Sequence, residues 1–218
     1  MLLTEVPYNS IDFSKKILHH KKRTRAVFKD ENYHYKLWEY GWEHGNVTRN
    51  CFEIGYYDLK MIPAFVSMIT HEGKDVGYIM KSGKVMGESR DPWNNLVKHT
   101  TQKQQLLFLN QVLQKSVRHN RIISDMVPSN VIVFEGDICL IDLEGVESFN
   151  WMFNGEPETH EAQNRNLNKV SKPYWGIMSQ WTKMYMEQCL GVKYDKDLDS
   201  PQNIQEVASI INSMVNKL

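Results

Sequence analysis

Neither sign of charge is in excess in this chain, because 26 Lys and Arg residues balance 26 Asp and Glu residues among 218. A balanced charge gives no overall field to attract nucleic acid or an anionic membrane, so nucleic-acid binding is disfavoured. The longest apolar run, 62–69, is far shorter than a segment that spans a bilayer. The N-terminus has no basic start followed by an apolar core. We expect a cytoplasmic protein that does not enter a membrane.

Cysteine is also scarce, with three residues at Cys51, Cys139 and Cys189. They are odd in number, widely spaced and set in apolar surroundings, which predicts buried reduced thiols and excludes a disulfide framework. The 8 histidines contain no pair at i and i+4 with a Glu between them, so a histidine metal site is disfavoured. The chain is long enough for one substantial domain or for two small lobes with separate cores.

Hydrophobic periodicity predicts an α+β fold in two parts joined by a linker. The first part, 1–80, reads strand, strand, helix, strand, strand, and a polar stretch with glycines at 81–87 indicates the linker. The second part, 88–218, is mainly helical. The predicted strands are 24–29, 33–38, 64–70 and 76–80, and the predicted helices are 47–60 (capped by Asn46 or Thr48), 101–119, 174–190 and 201–218.

The most informative segment lies in the middle, at 123–145, and reads ISDMVPSNVIVFEGDICLIDLEG. Two apolar, β-branched runs at 131–134 and 138–141 flank the residues Glu-Gly-Asp, which predicts a tight hairpin. Asp125 and Asn130 precede the hairpin and Asp142 follows it. These three polar groups are therefore expected at one end of the hairpin. For either half taken alone, the favoured interpretation is an ordinary surface loop in which Pro128 and Asn130 make a turn, followed by an ordinary hairpin.

This arrangement resembles the catalytic segment of the protein-kinase-like phosphotransferases. In that family the Asp of a D-x-x-x-x-N loop orients the acceptor hydroxyl, and the Asn and the Asp of a later D-F-G bind the magnesium ions of ATP. The resemblance implies these roles for Asp125, Asn130 and Asp142, with D-L-E-G at 142–145 in the place of D-F-G. Glu144 then either adds a second carboxylate near the metal or points to solvent.

The resemblance extends to about half of the chain, 24–148, and implies a two-lobed fold. The small lobe would hold an antiparallel sheet and one helix, and the large lobe would be reduced and mainly helical. Lys36 takes the place of the lysine that holds the α- and β-phosphates, with Glu53 as its helix partner. Lys29 and Glu43 are the rivals for these two roles. A hinge at 80–83 would bind adenine through Met80 and Ser82.

Several family features are missing. No glycine precedes Gly41, so the Gly-rich loop that covers the phosphates is absent, and the basic run 19–23 is expected between the first two strands in its place. Ile123 and Ser124 stand where the family has His and Arg, which argues against activation-loop phosphorylation. No A-P-E follows, and a peptide-docking platform of the usual size does not fit the 73 residues after Gly145.

These departures resemble the atypical and small-molecule kinases of the superfamily. The sequence therefore predicts a compact phosphotransferase that uses Mg²⁺ and ATP to transfer phosphate, or the AMP moiety, to an unidentified protein or small-molecule acceptor. A pseudokinase that serves as a nucleotide- or partner-binding module is the alternative. A third class is a nucleic-acid or anion-binding protein that uses Lys15, Lys16 and the basic run at 19–25.

Overall fold

The chain folds into two compact units, Met1–Lys84 and Val85–Leu218. A computed structural model describes residues 3–22, 25–38, 42–85, 92–123, 130–148, 183, 186–187, 192–196 and 200–217. The division between the units falls inside the predicted linker, 81–87. The class is α+β, as the hydrophobic patterns predict.

The first unit is a six-stranded sheet with one helix. The strand order is β1-β5-β6-β4-β3-β2. β1 pairs parallel with β5 and all other neighbours pair antiparallel, so the prediction of a purely antiparallel sheet is wrong. β1 is three residues long and ends in a proline, which leaves no periodic signal in the sequence. The elements are β1 Glu5–Pro7, β2 Ile17–Lys22, β3 Arg25–Lys29, β4 Tyr33–Trp38, α1 Trp42–Glu53, β5 Phe65–His71 and β6 Lys74–Lys81.

One face of this sheet is covered by the segment that connects β1 to β2. Tyr35, Ile69 and Ile79 form a buried cluster on that face, and Val6, Ile11 and Phe13 are among the side chains that pack against it. We call this the covered face. Because successive side chains of a strand point to opposite sides, His34 and Lys36 of β4 lie on the other side. That side also carries the buried Tyr78 and Met80, and α1 packs against it, so we call it the α1 face.

A charged cluster fastens the connecting segment to the sheet. Lys16 Nζ lies 2.6 Å from Asp30 Oδ2, and the Tyr35 hydroxyl donates to the same oxygen at 2.7 Å. The Asn32 and Tyr33 amides donate to Asp30 Oδ1 at 3.1 and 2.9 Å. Burial alone would raise the pKa of Asp30, but these hydrogen bonds outweigh it and hold the pKa well below its usual range.

Asp30→Asn is expected to lower the free energy of unfolding by about 1–2 kcal/mol at pH 7, the magnitude of partly exposed charged hydrogen bonds. Since the pKa of Asp30 is depressed in the folded state, its contribution is present above the unfolded value of about 4 and is lost as the pH falls from there through the lower folded value. Urea unfolding of both proteins between pH 7 and pH 2 measures this difference. Glu31→Gln, an exposed change in the same turn, is the control. Equal stability of Asp30→Asn and wild type at pH 7 would contradict the assignment.

Two predicted boundaries in the first unit are wrong. The helix spans Trp42–Glu53 instead of 47–60, so Asn46 and Thr48 lie inside it and do not cap it. It ends because Gly55 adopts a φ of +75°, and the Gly55 amide bonds to the Phe52 carbonyl. The basic run at 19–23, expected as a loop, belongs mostly to strand β2.

Within its described residues, the second unit contains three helices with defined bounds and several short strands. α3 begins with a capping box between Thr101 and Gln104 and ends where Asn120 adopts a left-handed conformation. α3 packs along α4, and the Gln114 side chain donates to the Ala208 carbonyl at 3.3 Å. The elements are β7 Lys84–Val85 at the unit boundary, α2 Pro92–His99, α3 Gln102–His119, β8 Arg121–Ile123, β9 Val131–Phe134, β10 Asp137–Leu140, β11 Val146–Ser148 and α4 Pro201–Val215.

The prediction of α3 is confirmed to within one residue, and that of α4 differs only at its C-terminal end. The helix predicted at 174–190 lies largely outside the described residues. Cys51 and Cys139 are buried, as predicted, and Cys189 lies outside the described residues. None of the helices described is both long and apolar enough to cross a membrane.

Candidate functional site

The hairpin predicted in the middle of the chain is present. β9 and β10 pair antiparallel, with Val131 opposite Leu140 and Phe134 opposite Asp137. The turn consists of Glu135 and Gly136, whose φ values are +50° and +90°. Two positive φ values in a two-residue connection match the twist of the flanking strands. The turn is thus one residue shorter than predicted, and β10 starts one residue earlier.

The open end of the hairpin brings Asn130 and Asp142 together. The Ile141 amide donates to the Asn130 carbonyl at 3.1 Å, so the chain segments on either side of the hairpin remain adjacent beyond the last strand pair. Both Asn130 and Asp142 are half-buried. Asn130 and Asp142 therefore lie in neighbouring backbone segments at one end of the hairpin, and their joint binding of a metal stays a prediction.

A second strand pair flanks the hairpin in the sequence, with one strand before it and the other after it. β8 and β11 pair antiparallel, with Ile123 opposite Val146. Ile123 and Asn130 are the two described ends of the loop that carries Asp125. Both ends lie beside the segment 141–146. Asp125 itself lies outside the described residues, so its position remains a prediction.

The turn after β10 is largely buried. Leu143 is fully buried, and Glu144 is 8% exposed, so the alternative that Glu144 points to solvent is wrong. Asp142 and Asn130 are the oxygen donors at the hairpin end. Hard oxygen ligands of this kind suit magnesium, which keeps several waters and takes further ligands from substrate phosphates. Within the described part of the chain no cluster of three His, Cys, Asp or Glu side chains could hold a metal by itself.

Lys36 lies near the middle of the first unit's sheet. It is opposite Val27 of β3 on one side and Tyr78 of β6 on the other. Its ammonium nitrogen is 5.7 Å from the centroid of the Tyr78 ring. The side chain is half-buried, on the α1 face.

Glu53 is not brought to Lys36. It is the last residue of α1 and is exposed, and no ion pair joins it to Lys36 among the described residues. α1 is held instead by Arg49, whose Nε lies 2.6 Å from Asp75 Oδ2 and whose Nη2 lies 2.8 Å from Glu5 Oε1. Glu43, the rival partner, is in α1, but its side chain lies outside what the structure describes.

Around Lys36 the α1 face carries several basic side chains, which the sequence patterns alone do not predict. The strands β2, β3 and β4 contain no Asp or Glu. Register places Lys29 opposite His34 and Arg25 opposite Trp38, and therefore on the same face as Lys36. The His19 and His34 rings contact each other with centroids 5.6 Å apart. The alternation of side chains along β2, β3 and β4 defines this face once β2 is known to be a strand.

The predicted hinge residues lie at the end of β6. Met80 is buried, and its strand has neighbours on both sides, so its main-chain groups point towards β4 or β5. The Ser82 amide donates to the Asn32 carbonyl at 2.8 Å, and its hydroxyl lies 3.1 Å from His34 Nδ1. A base bound here would have to use groups other than the Ser82 amide.

No protein-family model matches this chain, and no curated protein matches it either. The resemblance to the protein-kinase-like phosphotransferases therefore remains a prediction from the sequence. Its support has to come from the geometry of the chain itself.

Proposed function

We propose that the protein is an atypical, compact, kinase-like phosphotransferase that uses Mg²⁺ and ATP. The observation that supports the proposal is that Asn130 and Asp142 lie in neighbouring backbone segments at the same end of the β9–β10 hairpin. The loop with Asp125 has both described ends beside the same segment. Phosphoryl transfer needs this kind of strict placement of oxygen ligands and an acceptor-side carboxylate.

The cationic face of the first unit supports the same proposal. Lys36 and Lys29 lie on one face of strands that contain no carboxylate. Such a face suits a triphosphate and would take over the role of the missing Gly-rich loop with basic side chains. The first unit also has the composition implied for a kinase small lobe, namely a sheet with one helix between its strands. A two-lobed, kinase-like arrangement of the units is part of the proposal.

Each residue has a distinct role in the proposed mechanism. Lys36 binds the α- and β-phosphates, and Asn130 and Asp142 hold the magnesium ions. Magnesium, when bound, neutralises the charge of the phosphates. Asp125 orients the attacking hydroxyl or amine and accepts its proton. Met80 and Ser82 lie at the base-binding end, where His34 adds an imidazole to the same face. The acceptor is a protein or a small molecule.

A non-catalytic, pseudokinase-like module is the second candidate. The exposed position of Glu53 favours it, because an active kinase needs the phosphate-binding lysine held by a carboxylate. Thermal unfolding with ATP alone and with ATP plus magnesium separates the two. If the protein is an enzyme, ATP should stabilise its fold only when magnesium is present. If it is a non-catalytic module, ATP should stabilise it weakly or independently of magnesium.

Lys36→Met is expected to weaken ATP binding about 10- to 100-fold, since a charged hydrogen bond to phosphate is worth roughly 1.5–3 kcal/mol. Titration with a fluorescent ATP analogue in the presence of magnesium measures the effect. Lys60→Met removes an exposed lysine of the same unit and should change nothing.

Lys29→Met tests the rival assignment. Lys29 lies on the same face as Lys36, one strand further towards the sheet edge. Only a small loss of affinity is expected for this variant. A large loss for Lys29→Met together with a normal affinity for Lys36→Met would transfer the phosphate role to Lys29.

A further inference from the structure

Strand β2 forms one edge of the six-stranded sheet. In the described residues it pairs with β3 alone, so its other side is the side on which a further strand would add to the sheet. Two large apolar side chains at its start are exposed, Ile17 at 65% and Leu18 at 50%. An exposed apolar edge of this kind is the feature that β-strand addition uses.

We propose that this edge binds an extended, acidic segment of another protein as an added strand. The sequence of β2 divides into an apolar first third, Ile17-Leu18, and a basic remainder, His19-His20-Lys21-Lys22. The neighbouring β3 adds Arg25 and Lys29 and contains no carboxylate. Charge complementarity therefore selects an acidic partner for the basic part of the edge.

A groove begins at this edge and extends across β3 and β4 to Val76 of β6, and the end of the groove at the edge fits the apolar part of such a partner. It has a volume of about 330 Å³ and is lined by Leu18, Lys21, Phe28 and the exposed Tyr8, among others. Leu18 pairs with Phe28, so the groove lies on the covered face of the sheet. A side chain of the added strand next to Leu18 enters this groove, while main-chain hydrogen bonds hold the strand itself.

The order of apolar and basic residues along β2 determines the order of aliphatic and acidic residues in the partner strand. An antiparallel added strand meets Lys22 first and Ile17 last, so it carries carboxylates in its first half and aliphatic side chains in its second half. A second copy of this chain is disfavoured as the occupant, because its own β2 contains no carboxylate and so offers no charge complement to Lys21 and Lys22. The bulge between Leu18 and His20 and the lysines likewise discourage unselective edge pairing.

The test uses a fluorescein-labelled hexapeptide with two glutamates, two threonines and two valines in that order. Saturable binding in fluorescence anisotropy is expected. Lys21→Glu and Leu18→Ser should each weaken peptide binding about five- to tenfold. Lys21→Glu replaces an ion pair with the peptide by a repulsion between like charges, and Leu18→Ser removes an apolar contact. Leu107→Ser, which changes a similarly exposed leucine in the second unit, is the matched control and should bind normally.

A peptide with proline in place of the second threonine separates strand addition from plain charge attraction, because proline cannot donate to a ladder. Loss of binding with this peptide supports the proposal. Equal binding of the proline peptide, or of hexaglutamate, would show attraction by charge alone and overturn it. Concentration-dependent dimerisation that Leu18→Ser abolishes would overturn it in favour of a second copy. Leu18→Ser should leave ATP binding unchanged, so failure here is distinct from failure of the nucleotide site.

Discussion

Asp142→Ala is expected to abolish magnesium-dependent ATP binding. The variant removes the only charged oxygen ligand of the pair at the hairpin end, and Asn130 alone supplies a neutral donor. Binding is measured by equilibrium dialysis with ATP, with magnesium and with EDTA. Asp137→Ala removes an exposed carboxylate from the opposite, turn end of the same hairpin and should bind ATP normally.

Asp142→Asn keeps the size and polarity of the side chain and guards against a failure of Asp142→Ala to fold. It should also lose magnesium-dependent binding, with circular dichroism and thermal unfolding close to wild type. Unchanged ATP affinity of a folded Asp142→Asn in magnesium would remove the hairpin end from the nucleotide site.

Asp125→Ala should leave ATP affinity almost normal and lower turnover about 10²- to 10⁴-fold, the usual contribution of a general base. As an acceptor-side base, Asp125 interacts with the attacking group, and this interaction is used in the transition state. The measurement is ATP consumption with a panel of protein, sugar and amine acceptors, together with nucleotide affinity for both proteins.

Asp125→Asn is the matched variant, since it preserves hydrogen bonding but removes the base, and it should show a similar loss. If the wild type binds ATP and magnesium but turns over no faster than Asp125→Ala with every acceptor, the non-catalytic module is the better account.

The local signals in the sequence predicted the elements that they dominate. α3 has a capping residue, a regular apolar stripe and a left-handed Asn at its end, and its bounds agree with the structure to within one residue. The β9–β10 hairpin has β-branched strands around a glycine turn, and the hairpin is present with Asn130 and Asp142 at one end of it. In both cases the decisive interactions join residues close in sequence.

Elements stabilised by distant contacts escaped prediction. β1 is too short to show a pattern and exists because it pairs with β5, some sixty residues away. β2 is basic and was read as a loop, but its pairing with β3 makes it a strand. Tertiary pairing overrode a weak local preference in both segments.

The candidate site shows the same difference between local contacts, which the sequence predicts, and distant contacts, which it does not. Asn130 and Asp142 were found because one hairpin carries both. A carboxylate partner of Lys36 cannot be predicted in the same way, because its identity depends on where α1 ends and on how α1 lies on the sheet. Gly55 ends the helix at Glu53 and leaves that carboxylate exposed, and the Arg49–Asp75 pair fixes the helix by a contact between residues 26 positions apart. No spacing rule in the sequence reports either fact.

The most direct measurement is a calorimetric titration of the wild-type protein with ATP, once in magnesium and once in EDTA. The proposed function predicts saturable binding of one ATP per chain in magnesium and a large loss of affinity in EDTA. Absence of binding under both conditions, or the same affinity in both, would contradict it.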